Sequence, residues 1–185
     1  MNLQEQKILP AIKSMKDFER MLKSNYKYGV FLELHISQVK PVMKLANQHN
    51  KKMFLHVDLI QGLKNDEYAA EYLCQEVKPY GLVSTKASVI LIAKKKGIKA
   101  IQRIFILDSN ALQRSVAQVK KTQPDYIEIL PGLVPKIIQE IHEETKTEVF
   151  AGGLIDTPNE VNQALIAGAT AITTSDINLW KHFEQ

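Results

Sequence analysis

Short β-branched and apolar runs alternate along this chain with longer stretches of helical periodicity. The runs end near Ile12, His35, Asp58, Ser84, Asp108, Pro131, Gly153 and Ser175. The steps between those ends are 23, 23, 26, 24, 23, 22 and 22 residues. Repeats so even, each a strand followed by a helix, predict parallel strands joined by right-handed crossovers. Eight of them predict a closed (β/α)8 barrel of the α/β class, with residues 1–185 forming one compact domain. An open doubly wound sheet is the alternative. The chain is shorter than the ~250 residues usual for this barrel, so its loops are expected to be short.

Helix boundaries agree with that division. Thr157-Pro158-Asn159-Glu160 supplies an N-cap, a first-turn proline and a capping-box glutamate ahead of Val161, Leu165 and Ile166. Pro135 opens the helix through Ile141, and Gly97 closes one whose last residues, Lys94, Lys95 and Lys96, suit the negative end of the helix dipole. Asp108 reads as an N-cap, and Gln61-Gly62 as a turn or a close backbone approach to a ligand.

Alternate residues of a barrel strand face the interior, so polar residues can be assigned by parity. In strand two, Phe31, Glu33 and His35 share one face against Val30, Leu32 and Leu34; in strand three, Phe54, His56 and Asp58 oppose Leu55 and Val57. Strand five sets Arg103 with Phe105 and Leu107, and strand six sets Glu128 with Tyr126 and Leu130. The wholly aliphatic faces are expected to meet the helices. Glu33, His35, His56, Asp58, Arg103 and Glu128 would then converge on the lumen, where each unpaired charge would cost several kcal/mol. Two readings stand side by side: an Arg103–Glu128 ion pair that fills the barrel, and a polar cavity that hydrogen-bonds a small polyol.

Composition narrows the class. With 45% hydrophobic and 24% charged residues and no apolar run long enough to span a membrane, the chain reads as a soluble, cytoplasmic domain with no membrane partner. Cys74 is the only cysteine, which excludes an internal disulfide, and its helical neighbours make it a core residue. A net charge of +4 permits a polyanionic partner without requiring one.

The last third carries the strongest chemical signal. Val149-Phe-Ala-Gly-Gly-Leu-Ile155 and Ala171-Ile-Thr-Thr-Ser175 each stop a β-run at small residues, leaving main-chain N–H groups open to an anion. Gly152, Gly153, Thr174 and Ser175 are the candidate phosphate-binding residues, with a short helix starting at Asp176 adding its free N–H groups. Phosphate sites between the last two strands are frequent in (β/α)8 barrels. Lys86, in Ser84-Thr85-Lys86, has three readings: neutralising that phosphate, forming a Schiff base, or standing in solvent. Glu33, His35, His56 and Asp58 could hold a metal in principle, but they follow no metal-specific spacing, so no metal is assigned.

Leu9-Pro-Ala-Ile12, Leu34-His-Ile-Ser37, His56-Val-Asp-Leu-Ile-Gln-Gly62, Ile127-Glu-Ile-Leu-Pro-Gly132 and Ala151-Gly-Gly-Leu154 occur in this order along nearly the whole chain. In these motifs the sequence closely resembles the bacterial glycerol uptake operon antiterminator regulatory proteins. The resemblance implies a barrel that binds glycerol 3-phosphate and then contacts the leader of glycerol-utilisation mRNA, preventing transcription termination. It implies a regulator, not an enzyme, with no cofactor and no catalytic residue. On that resemblance Gly152, Gly153, Thr174 and Ser175 match the phosphate, and His56, Asp58 and Glu128 face the glycerol moiety. A metal-dependent phosphodiesterase, or another enzyme acting on a small phosphate ester, is the alternative.

No RNA-binding signature appears in the sequence. Twelve of the 24 basic residues fall at helix ends or strand starts, on the face opposite the ligand. Lys94, Lys95, Lys96, Lys120 and Lys121 are the candidate RNA contacts among them, although the helix dipole accounts for many such positions. A homodimer would suit an RNA regulator, but no apolar stripe in the sequence points to one.

Overall fold

A computed structural model describes residues 3–184. In chain order its main elements are β1 (Ile8–Ile12), α1 (Met15–Lys23), β2 (Tyr28–Phe31), β3 (Leu34–His35), α2 (Ile36–Gln48), β4 (Lys52–His56), β5 (Ile60–Gln61) and α3 (Glu67–Tyr72). There follow β6 (Gly81–Ser84), α4 (Ala87–Lys95), β7 (Lys99–Phe105), α5 (Ser109–Thr122) and β8 (Tyr126–Leu130). The chain continues with α6 (Pro135–Thr145), β9 (Glu148–Gly152), α7 (Pro158–Ile166), β10 (Ala169–Thr174) and α8 (Ile177–Phe183). Strands β1, β2, β4, β6, β7, β8, β9 and β10 close an all-parallel barrel in which β10 pairs with β1. This is the predicted (β/α)8 architecture; the open sheet is excluded by that closure.

The predicted helix signals act as expected. Thr157 and Glu160 form a reciprocal capping box with Pro158 in the first turn of α7, and Pro135 opens α6. The Asp108 carboxylate accepts from the Ala111 N–H, and Gly97 takes φ +72° just past α4, a conformation that favours glycine. Cys74 is buried, and burial pushes its thiol up to about 11, so it is an inert core residue.

Three of the eight expected strand ends differ, the fifth because β7 stops at Phe105, three residues before the N-cap Asp108. The barrel part of strand two stops at Phe31 and that of strand three at His56; beyond them β3 and β5 pair with each other as a separate two-stranded parallel ribbon, Leu34 opposite Ile60. Both segments look like strand in sequence because both are strand, but in a ribbon outside the barrel sheet. Strand-two parity is also inverted. Phe31 packs outward on Phe18 at 4.9 Å, while Tyr28 and Val30 join the lumen cluster and Leu32 packs against it. The inward side of β2 is apolar, so the polarity rule chose the wrong face.

The lower lumen, at the N-terminal strand ends, is filled by aromatic rings. Tyr126 stacks on Phe150 at 4.8 Å, and Phe54 meets Tyr80 edge-on at 5.2 Å. Above this plug the inward residues of β1, β9 and β10 are Ala11, Gly152 and Thr173. Their small side chains leave the upper lumen unfilled on that side.

Candidate ligand-binding site

The space above the plug is a cavity of about 440 Å³ opening at the C-terminal strand ends. That is within the usual range of ~300–1,000 Å³ for small-molecule sites. Gly152 and Gly153 from the end of β9 and Thr174 and Ser175 from the end of β10 line it together. The two stretches singled out in the sequence are therefore neighbours, with Gly152 in register with Thr173. Gly152 is buried, and a Cβ there would point at Glu128 Oε1 (3.4 Å) and the Thr173 carbonyl (3.3 Å). Gly153 has φ +72°, a backbone conformation costly for any side chain with a Cβ. Thr174 Oγ1 accepts from the Asp176 N–H at 3.1 Å, which leaves its own proton free to donate. Trp180 pins this strand end by donating Nε1–H to the Thr174 carbonyl at 2.7 Å.

The expected contribution of the following helix fails. The Asp176 carboxylate, as N-cap of α8, accepts from the N–H groups of Asn178 and Leu179. Those amides are occupied by the protein's own anion, and Ser175 is one residue outside the cap. The donors left facing the cavity here are strand-end backbone and hydroxyls, together with Lys13, which lines it from the end of β1.

The polar floor is built by β7, β8 and β10, and His56 of β4 is buried near Arg103 and Glu128 but outside the cavity lining. Arg103 and Glu128 are in register on adjacent strands, and Arg103 Nε donates to Glu128 Oε2 at 2.6 Å. Both line the cavity, so the ion pair forms and still faces open space. His56 is 2% exposed, and neither ring nitrogen has a partner among the described residues; the same holds for the buried Thr173 Oγ1. Such orphaned polar atoms are costly unless a ligand or water meets them. Burial, followed by the nearby Arg103 charge, holds the His56 imidazole down at about 4, so it is neutral at pH 7 and offers one donor and one acceptor.

This has a measurable consequence. The unfolded imidazole takes up a proton near 6.5 whereas the folded one does so only near about 4. Between those values the unfolded state binds more protons, so stability falls as pH is lowered through that window. A His56→Gln variant should show a shallower loss of melting temperature over the same range; an unchanged slope would refute buried neutral His56.

Four expected site residues lie elsewhere or are committed. Glu33 is exposed beyond the end of β2. His35 is exposed and serves as the N-cap of α2, its side chain accepting from the Ser37 N–H at 3.3 Å. Asp58 clamps β4 to β6: Ser84 Oγ donates to one carboxylate oxygen, and Thr85 donates its N–H and hydroxyl to the other, each at 2.8 Å. That clamp folds the Ser84–Thr85 turn inward and leaves Lys86 exposed at the start of α4, outside the cavity lining. Glu33, His35, His56 and Asp58 therefore do not converge, and no cluster of three or more metal-ligating side chains exists among the described residues. The metal set on which a phosphodiesterase would depend is not assembled.

Lys13 and Thr173 were missed. Parity would have found both, since Lys13 continues the series Leu9, Ala11 and Thr173 lies between Ala171 and Ser175. The lysines at the opposite end are partly consumed. Lys94 and Lys99 both bridge Asp125, Lys96 pairs with Glu71 and Lys120 with Glu144, and buried Lys51 donates to the carbonyls of Ser24 and Tyr26. Lys95 and Lys121 are exposed and have no ion pair among the described residues. No helix among the described residues is long and apolar enough to cross a membrane.

Residues 8–180 match the model of a family described as glycerol-3-phosphate responsive antiterminator. The uncharacterized protein YgcP of Escherichia coli (strain K12) is 30% identical over 178 residues, 96% of this chain and 93% of that protein. A glycerol uptake operon antiterminator regulatory protein from Listeria monocytogenes str. 4b F2365 is 45% identical, with a TM-score of 0.93 over 95% of each chain. A glycerol uptake operon antiterminator-related protein from Thermotoga maritima MSB8 is 30% identical, with a TM-score of 0.85 over 95% of this chain and 98% of that one. By this match along almost its whole length, the chain belongs to the glycerol-3-phosphate responsive antiterminator family.

Proposed function

We propose that glycerol 3-phosphate occupies the upper-lumen cavity and that the occupied barrel binds an mRNA leader, acting as a regulator and not as a catalyst. The observation that carries this reading is the pairing of two strand ends rich in open amides and hydroxyls with a floor at which the buried Thr173 Oγ1 has no partner among the described residues. The phosphate lies against Gly152, Gly153, Thr174 and Ser175, with Lys13 as its cation. The glycerol hydroxyls reach His56, Thr173 and the Arg103–Glu128 pair. Neutral imidazole, hydroxyl and carboxylate suit a polyol, because each offers a donor or an acceptor without adding a second anion-binding charge.

The cavity is lined by the loops after β1, β9 and β10. A ligand touching all three favours whichever loop arrangement it contacts best, and shifts the population by its difference in affinity between arrangements. RNA binds at the N-terminal strand ends, where exposed lysines concentrate, with Lys95 and Lys121 as contacts free of competing carboxylates and Lys94, Lys96 and Lys120 exchanging theirs for phosphate.

Leader RNA titrated with and without glycerol 3-phosphate tests the reading: the ligand should tighten binding, and affinity should fall steeply as salt rises, because phosphate contacts release counterions. Lys95→Glu with Lys121→Glu should weaken binding about tenfold or more at low salt and flatten the salt slope. Equal affinity in both proteins would remove this face from the RNA interface, and indifference to ligand would remove the switch.

A further inference from the structure

The loops following β7, β8 and β9 carry apolar side chains into solvent: Leu107 is 85% exposed, Leu154 67%, Phe105 49% and Val134 45%. Single exposed apolar residues are ordinary, but this group covers adjoining loops on one side of the barrel mouth. Beside it runs an apolar groove of about 250 Å³, floored by Ile106, Leu112, Pro131 and Ile137. Leu112 and Ile137 are shared with a second hollow of about 590 Å³ between α5 and α6, so the two form one continuous trough. Lys136, Glu140, Lys120 and Glu144 line its polar edges.

We propose that a second copy of this chain docks on this surface, forming an isologous dimer through α5, α6 and the loops that precede them. Two features select a second copy over another partner. Leu107 and Val134 are the exposed rims of the apolar trough itself, so a two-fold axis lays the rim of each copy over the trough of the other. The edges carry both signs of charge, with Lys136 and Glu140 one turn apart on α6. Crossing α6 antiparallel with its own copy sets Lys136 of each opposite Glu140 of the other. A nucleic acid or an anionic membrane would instead favour the lysines alone.

The seam adjoins the ligand cavity without depending on it. Gly132, in the loop after β8, donates its N–H to the Gly152 carbonyl at 2.7 Å, and Leu154 lines the cavity from the loop after β9.

Sedimentation of the full-length protein over the micromolar range, without ligand, tests the proposal. The wild type should be a dimer whose melting temperature rises with protein concentration, and Leu107→Glu with Val134→Glu should be a folded monomer whose melting temperature does not, since both residues are exposed. If that variant is destabilised, charge exchange gives the answer: Lys136→Glu should weaken the dimer about tenfold, and adding Glu140→Lys should restore it. A wild type that stays monomeric at the highest concentration would overturn the proposal and leave the trough to a different protein. A dimer that survives both sets of substitutions would also overturn it, placing the contact between copies elsewhere.

Discussion

Gly152→Val should abolish detectable glycerol 3-phosphate binding, with affinity reduced roughly 100-fold or more, equivalent to about 2.7 kcal/mol. A Cβ at this position already stands 3.4 Å from Glu128 Oε1 and 3.3 Å from the Thr173 carbonyl. Two further methyls have nowhere to go except the space the ligand would fill. Valine is at ease in a strand, so the barrel is expected to form, at a cost of about 1–3 kcal/mol for crowding the Thr173 carbonyl and Glu128. Gly152→Ala should fall between, because its single methyl crowds the floor without crossing the cavity. Isothermal calorimetry on the three proteins checks the series. Equal affinities would mean that the anion sits away from the end of β9.

Arg103→Met is expected to cost about 3–5 kcal/mol of folding stability, the largest loss of any single exposed-to-cavity substitution considered. The Arg103 side chain is 11% exposed and that of Glu128 is 4% exposed, and the pair is held at 2.6 Å. Removing the guanidinium leaves a buried carboxylate with its principal partner gone, next to an imidazole that burial still holds down. The loss should therefore be repaired largely by a second change, Glu128→Gln, which removes the stranded charge while keeping the shape. Urea unfolding of the single and double variants measures both effects. An Arg103→Met protein within about 1 kcal/mol of wild type would show that the pair is solvated and that the floor is more open than described.

Much of the architecture was legible because barrel repeats write themselves as regular spacing. Caps at Thr157 and Asp108 and the glycine stop at Gly97 are local devices, decided by a few neighbouring residues, and they are found where the sequence puts them. Parity identified Arg103 and Glu128, which line the cavity, and His56, which is buried near them, because Ile104, Ile127, Ile129, Leu55 and Val57 on the same segments face the outer core. It failed on β2, where Tyr28 and Val30 make the inward side as apolar as the outward one. What sequence spacing could not convey was where a strand leaves the barrel. Leu34–His35 and Ile60–Gln61 keep strand character in a separate ribbon, and that displacement takes Glu33 and His35 out of the lumen.

Competition among polar groups was equally hidden. Asp58 has the right parity but is consumed by Ser84 and Thr85, and Asp176 occupies the helix amides that an incoming anion would otherwise find. Both outcomes depend on which donor lies nearest in three dimensions. Thr173 and Lys13 show the converse: the rule that found Glu128 reaches them as soon as it is applied to the first and last barrel strands.

The cavity between the ends of β9 and β10 is tested most directly by titrating glycerol 3-phosphate into the wild-type protein in a calorimeter, with glycerol and inorganic phosphate as separate competitors. Saturable one-site binding, displaced weakly by either fragment and lost in Gly152→Val, is the expected result. Absence of binding at millimolar ligand, or binding that Gly152→Val leaves unchanged, would contradict it.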